Sequence, residues 1–170
     1  ITKNKKTIEF DGMYSSNITE SATKGLSDNF SLPFSTRISS LNDMMDVTSK
    51  PLVFDADNGG KIEQLPFLIR SLERSGASAI IIEDKVSLKK NLLSTNQKDS
   101  KLVKPEIFAK KIKKICNLRQ IQNFMVIAKI KSFIAGKSLK DALNRAEIYS
   151  KAGADAILIH SKEKTSTEIF

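Results

Sequence analysis

Pro51-Leu52-Val53-Phe54-Asp55-Ala56-Asp57-Asn58-Gly59-Gly60 is the stretch that decides the fold. Pro51 opens a short apolar run of the kind that forms a buried strand. The run stops at two carboxylates, and a glycine pair then lets the backbone turn sharply. In parallel α/β folds the chemistry lies outside the carboxyl ends of the strands, so a buried run tipped with acids predicts that architecture.

Working outward, the same pattern repeats. Ser75-Gly76-Ala77-Ser78-Ala79-Ile80-Ile81-Ile82-Glu83 parallels Ala152-Gly153-Ala154-Asp155-Ala156-Ile157-Leu158-Ile159-His160. Each reads as a helix end, a glycine cap and a buried strand with a polar tip. Further strands are expected near 10–15 and 125–131, which gives five, near 10–15, 51–57, 79–84, 125–131 and 155–160. Between them lie helical patterns. Ser35 to Ser49 places Ile38, Leu41, Met44, Met45 and Thr48 at helical spacing, and Met44 and Met45 are expected in the core. Lys61 to Ser75 tolerates Pro66 only in a first turn. Lys104 to Lys114 sets Ile107, Phe108, Ile112 and Ile115 among lysines, in a helix beginning at Pro105. Ser138-x-x-Asp141 resembles a capping box at the head of a helix that ends by Gly153. Val86 to Lys104 has no period and reads as a long loop. Strands each followed by a helix mean βα units and a parallel sheet.

Composition narrows the function classes. The chain has 170 residues, 40% hydrophobic and 28% charged, which is ordinary globular usage and excludes collagen-like, low-complexity and disulfide-scaffold classes. The net charge is +9, but lysine outnumbers arginine 23 to 5 and is interleaved with acids and apolar residues. That is the pattern of solvated helix faces, so no nucleic-acid partner is expected. No apolar run approaches the roughly 18 residues of a membrane helix, so no membrane partner is expected. Cys116 is the single cysteine and shows no nearby partner that would make it a nucleophile; it suits a reducing compartment, and a cytoplasmic location is expected. Tyr14 and Tyr149 show no stacking pattern.

The strand tips collect Asp55 and Asp57, Glu83 and Asp84, Lys129 and Lys131, and His160. Residues two apart on a strand face the same way, so Asp55 and Asp57 are expected to point into one pocket. Acids converging there repel one another unless a cation neutralises them, and oxygen-only ligands favour a hard ion such as Mg²⁺.

Together these segments resemble phosphoenolpyruvate mutases of the isocitrate lyase superfamily. The resemblance is carried by Val53 to Gly60, by Ile82-Glu83-Asp84-Lys85 with Leu88-Lys89-Lys90-Asn91, and by Gly153 to Ser161. Asp11-Gly12-x-Tyr14-Ser15-Ser16 and Leu41-Asn42-Asp43 support it. It implies a (β/α)8 TIM-type barrel and a Mg²⁺-dependent interconversion of phosphoenolpyruvate and phosphonopyruvate, the entry to phosphonate biosynthesis. By resemblance Asp55 ligates Mg²⁺, while Asp57, Glu83 and Asp28 hold its waters. Ser16, with the backbone of Asn17 and Ile18, binds the substrate carboxylate. Lys89 and Asn91 sit in a gating loop over 86–104, Asn91 steadies the phosphoryl group, and His160 contacts it from the opposite wall. No general base is needed, because the phosphoryl group passes from oxygen to carbon as a metaphosphate-like species. Lyases of the superfamily carry a Lys-x-Cys-Gly-His loop, which Lys89-Lys90-Asn91-Leu92 lacks. Phosphonopyruvate hydrolases, the alternative, tend to have Thr where Asn91 stands.

Two departures stand out. The family has Arg-x-Glu where this chain has Lys129-Ile130-Lys131. Lys129 falls in the substrate-binding set but supplies a point charge in place of a guanidinium fork, and Lys131 reverses the sign of its position. A catalytically impaired, non-enzymatic paralogue is therefore a further alternative. A full barrel needs about 250 residues, so the expectation for 1–170 is a single partial barrel domain of about five parallel βα units, truncated at both ends. A homo-oligomer is expected for the full-length protein.

Overall fold

A computed structural model describes residues 2–3, 6–7, 9–28, 32–86 and 101–162. β1 (Thr2–Lys3) and β2 (Lys6–Thr7) pair as a small antiparallel ribbon. Then follow β3 (Met13–Ser15), α1 (Asn17–Thr23), α2 (Phe34–Asp46), β4 (Leu52–Asp55), α3 (Leu65–Arg74), β5 (Ala79–Glu83), α4 (Pro105–Leu118), β6 (Met125–Ile130), α5 (Leu139–Lys151) and β7 (Ala156–Ile159).

Strands β3 to β7 make one parallel sheet whose spatial order is the chain order. A doubly wound sheet reverses direction at a switch point; an unreversed order is that of a barrel, with each crossover helix packed on the same face. The two outer strands, β3 and β7, do not pair with each other, so the sheet is open. It is a partial TIM-type barrel.

The local signals act as chemistry requires. Pro66 lies in the first turn of α3, where its missing N–H costs nothing, and Gly76 leaves the helix at φ 78°. The Ser138 hydroxyl accepts from the Asp141 N–H at 3.3 Å and starts α5. Alternation along the strands then sorts two faces. Leu52, Phe54, Ile80, Ile82, Val126, Ala128 and Ile130 pack under Leu68 and Leu72 of α3, Phe108 and Ile112 of α4, and Ala142 and Tyr149 of α5. Burying each large aliphatic side chain there contributes about 1.5–3 kcal/mol. The opposite, inner face carries Tyr14, Asp55, Glu83, Lys129 and Leu158; Glu83, Lys129 and Leu158 share one register row, and Tyr14 and Asp55 stand on the same face in neighbouring rows. No residue of β7 is fully buried, as befits an edge.

Several expectations are corrected. β3 begins only at Met13, and Phe10 is 82% exposed. Ile107 is 57% exposed, one position off the buried stripe of Phe108, Ile112 and Ile115. Met44 and Met45 are half-buried against the core rather than inside it. The loop over 86–104 has a paired base. Lys85 and Leu102 form an antiparallel bridge, the Val86 N–H reaches the Lys101 carbonyl, and the Val103 N–H reaches the Asp84 carbonyl, both at 2.8 Å. Lys89 and Asn91 lie outside the described residues. Among the described residues no helix is long and apolar enough to cross a membrane.

Candidate active site

The inner-face residues meet at the carboxyl ends of β3 to β7. Asp55 is the last residue of β4, Glu83 the last of β5, Lys129 the penultimate residue of β6, and His160 follows β7. Glu83 and Lys129 are register partners on adjacent strands, which brings their side chains together without any loop. Lys129 Nζ donates to Asp55 Oδ2 at 3.2 Å and stands 3.8 Å from Glu83 Oε2. Lys131 Nζ stands 3.3 Å from the same Glu83 oxygen and 2.8 Å from His160 Nδ1. The Tyr14 hydroxyl donates to Asp55 Oδ2.

Asp57 reaches the site by a different route from the expected one. The strand ends at Asp55, and Asp57 adopts φ 51°, a left-handed conformation that an Asx turn supports through the Asp57 N–H and Asp55 Oδ1 at 2.9 Å. The Asp57 carbonyl accepts from the Glu83 N–H, so the turn is stitched to the tip of β5. Alternation along a strand therefore does not set its direction. Asp57 lines a cleft of about 690 Å³ between α2 and α3, whose other polar walls include Asn17 and Arg37.

Ser16 is the residue before α1 and makes no side-chain cap to it; Asn17 is buried, and Ile18 is 36% exposed. The Asn17 amide donates to Asp28 Oδ1 at 2.9 Å, which ties two of the expected site residues together. Behind them lies a buried support. Arg37 of α2 donates to the Asp55 and Ser15 carbonyls and to Glu20, with its guanidinium 4.1 Å over the Phe54 ring. Three residues were missed in the sequence. Tyr14 and Arg37 touch partners 41 and 18 residues away, and the Tyr149 hydroxyl donates to Asp84 across 65. No local window carries such pairings. Cys116 is bland, as expected: its thiol donates to the Gly153 carbonyl, and burial pushes it up from the usual thiol range.

The electrostatics follow from burial and these contacts. Burial alone would raise Asp55, but Lys129, the Tyr14 hydroxyl and the Asp57 N–H together hold it below the usual carboxylate range. Burial and the Asp55 carboxylate push the Tyr14 hydroxyl up. Burial pulls Lys131 down, with Glu83 opposing. Burial, then Lys131 and Lys129, push His160 down from 6.5 to about 4. The ring is therefore neutral near pH 7, its Nδ1 accepts from Lys131, and its proton sits on Nε2.

That state is directly measurable, because His160 is the chain's one histidine. Its ring proton resonance is expected to titrate near pH 4, and a midpoint above 6 would contradict the burial and the Lys131 contact. A folded pKa below the unfolded one means that the unfolded chain binds more protons between about 4 and 6.5. The stability involved is fully present above 6.5 and is lost as pH falls through that window. For a ring this exposed to solvent it amounts to about 1–2 kcal/mol.

Asp55, Asp57 and Glu83 have the donor chemistry of a hard-cation site, and Glu83 Oε1 is buried with no hydrogen-bond donor. The arrangement nevertheless does not fit a dication. The facing Asp55 and Glu83 oxygens are paired with ammonium groups, and no three acidic, histidine or cysteine side chains among the described residues group to hold a metal ion.

Comparison with known proteins agrees with this architecture. Residues 2–170 match the family model for phosphoenolpyruvate phosphomutase. The chain is 36% identical over 161 residues to the phosphoenolpyruvate phosphomutase of Tetrahymena pyriformis, covering 94% of this chain and 53% of that protein. It is also 36% identical over 162 residues to the phosphonopyruvate hydrolase of Variovorax sp. (strain Pal2), covering 95% of this chain and 56% of that one. The crystal structure of a phosphoenolpyruvate phosphomutase from Streptomyces platensis subsp. rosaceus superposes with a TM-score of 0.88 at 34% identity, covering 94% of this chain and 55% of that chain. The chain thus spans about half the length of the curated relatives it matches. These relatives are enzymes, and the chain belongs to the phosphoenolpyruvate phosphomutase family of the isocitrate lyase superfamily.

Proposed function

We propose that the protein is a phosphoenolpyruvate mutase, an isomerase that moves one phosphoryl group between the enol oxygen of phosphoenolpyruvate and the C3 carbon of phosphonopyruvate. The observation that carries this reading is the meeting of Lys129, Lys131 and a neutral His160 at the carboxyl ends of β6 and β7. Two ammonium groups and an Nε2–H donor suit a phosphoryl group whose negative charge spreads over its oxygens as it transfers. The O–P bond breaks, the C3–P bond forms, and the enol becomes a ketone. No proton enters or leaves, so no general base is required. Ser16, Asn17 and Ile18 at the start of α1 would hold the carboxylate, with Asp28 supporting Asn17. Lys89 and Asn91 would close over the phosphoryl group, which keeps water from intercepting it. Phosphonate biosynthesis, a cytoplasmic location and assembly of the full-length protein into a homo-oligomer belong to the same proposal.

Phosphorus NMR of phosphonopyruvate mixed with the protein tests it, run once with Mg²⁺ and once with EDTA. Mg²⁺ is the cofactor that family membership suggests, and the two tubes decide whether turnover depends on it. Conversion to the phosphoenolpyruvate signal is the expected result. Release of inorganic phosphate with pyruvate would instead identify a phosphonopyruvate hydrolase, the second reading, which the identity to the Variovorax protein supports to the same degree as the Tetrahymena protein supports the first. An unchanged spectrum in both tubes would sink both enzymatic readings and leave an impaired, anion-binding paralogue, in line with Lys129 and Lys131 replacing the family's Arg-x-Glu.

A further inference from the structure

The carboxylates at the tips of β4 and β5 are closed by the chain's own cations. Glu83 is 1% exposed and Asp55 5%, so neither reaches bulk solvent for compensation. Lys129 Nζ bridges them, 3.2 Å from Asp55 Oδ2 and 3.8 Å from Glu83 Oε2. Lys131, itself 3% exposed, stands 3.3 Å from Glu83 Oε2 and is anchored on its far side by His160 Nδ1 at 2.8 Å. Both lysines stand on β6 or one residue beyond it, so their stems are fixed by the sheet and not by a movable loop. A dication seated among these oxygens would sit beside two ammonium groups, one of them buried with no exit to solvent. Repulsion from both would oppose the attraction of the acids. Charge accounting agrees: the two ammonium groups paired with Asp55 and Glu83 carry as much positive charge as one divalent cation.

We infer that Lys129 and Lys131 occupy the role of the divalent cation, so that this protein holds a small carboxylate-bearing dianion in the site without a metal. The lysines neutralise Asp55 and Glu83; Lys131 is engaged by Glu83 and His160 Nδ1, so the more accessible Lys129 ammonium, with His160 Nε2–H, meets the anion. The metal-free part of this inference stands on the ion pairs alone; the anion part rests on the functional reading above.

Two measurements on the full chain, stripped with EDTA and desalted, decide it. The first is titration with Mn²⁺ followed by electron paramagnetic resonance. The free-ion signal is expected to match buffer throughout. Lys131→Glu is expected to take up about one Mn²⁺ per chain, because the reversed charge rebuilds an all-oxygen site. Lys131→Gln, whose charge change is smaller, serves the same purpose should the first variant not fold. Uptake of Mn²⁺ by the unchanged protein would overturn the lysine assignment and leave the functional reading intact. The second is calorimetric titration with oxalate, a small planar dianion, in EDTA and in Mg²⁺. The affinities are expected to agree within about twofold. A loss of tenfold or more in EDTA would show that a metal completes the site, against the inference. Absence of oxalate binding in both buffers would overturn the anion part and, with it, the anion-handling reading from which the proposed function starts.

Discussion

Arg37→Leu is expected to destabilise the fold by about 3–5 kcal/mol, an amount comparable with the whole stability of a modest domain. The guanidinium is 1% exposed and serves four segments at once. It donates to the Ser15 carbonyl at 3.1 Å on β3, to the Asp55 carbonyl on β4, and to Glu20 of α1 at 3.3 Å, all from its own seat on α2. Removing it orphans two backbone acceptors and leaves the buried Glu20 carboxylate without its cation. The desolvation penalty for that stranded charge outweighs what leucine regains by packing on Phe54. Arg37→Lys is expected to recover little, because one ammonium cannot reach three divergent acceptors. Urea unfolding followed by circular dichroism reads the effect, and adding Glu20→Gln to Arg37→Leu should restore a measurable fraction by removing the stranded charge. Equal midpoints for Arg37→Leu and the wild type would show that the network contributes nothing. The functional consequence is positional: the network clamps the backbone of Asp55, so a site built on that residue inherits its precision from Arg37.

The fold was legible where burial leaves a periodic trace. Four of the five parallel strands announced themselves as apolar runs ending in a polar or charged residue, while β3, Met13-Tyr14-Ser15, left a weaker trace, and α3, α4 and α5 read as helices with proline or serine at the head. α1 left no such trace. Its buried residues are Asn17, Glu20 and Ser21, a polar face satisfied by long-range hydrogen bonds, so the hydrophobic period that marks a helix is missing. The site was legible in part for the same reason. Asp55, Glu83, Lys129 and His160 stand at strand tips, and the sheet delivers them together. For Asp57 the expected strand alternation does not hold, because a left-handed turn beyond the end of β4 sets its direction. Tyr14 and Tyr149 looked like spare aromatics, since a hydroxyl's partner many residues away is invisible until the strands are paired. The lysines were seen as a departure, but their consequence, that they seat on the very acids expected to bind a cation, needed distances.

Asp84→Ala carries the second large expected effect, a loss of about 3–5 kcal/mol, against about 1–2 kcal/mol for Asp84→Asn. Asp84 is fully buried immediately beyond Glu83 and accepts from three directions: the Arg145 guanidinium at 3.0 Å, the Tyr149 hydroxyl at 2.7 Å and the Lys131 N–H at 2.9 Å. Arg145 in turn donates to the Val103 carbonyl at 2.9 Å, and the Val103 N–H returns to the Asp84 carbonyl at 2.8 Å. One carboxylate thus joins β5, the residue after β6, α5 and the paired base of the loop. Alanine strands a buried guanidinium, a hydroxyl and a backbone N–H together, whereas asparagine keeps an acceptor of the same shape for two of the three. The loss in Asp84→Asn therefore measures mainly the charge, the difference between the variants measures the remaining acceptor, and the larger loss measures the whole junction. A double-mutant cycle with Arg145→Met is expected to give a coupling of about 2 kcal/mol or more, and additive losses would mean that the two residues act independently. Since the Lys131 N–H belongs to this junction while the Lys131 ammonium belongs to the site, Asp84→Asn is also expected to shift the His160 titration, read on its single ring resonance. Asp84 shares no hydrogen bond or ion pair with that ring, and its link to it runs through Lys131, so such a shift reports displacement of Lys131 and links the structural network to the chemical one.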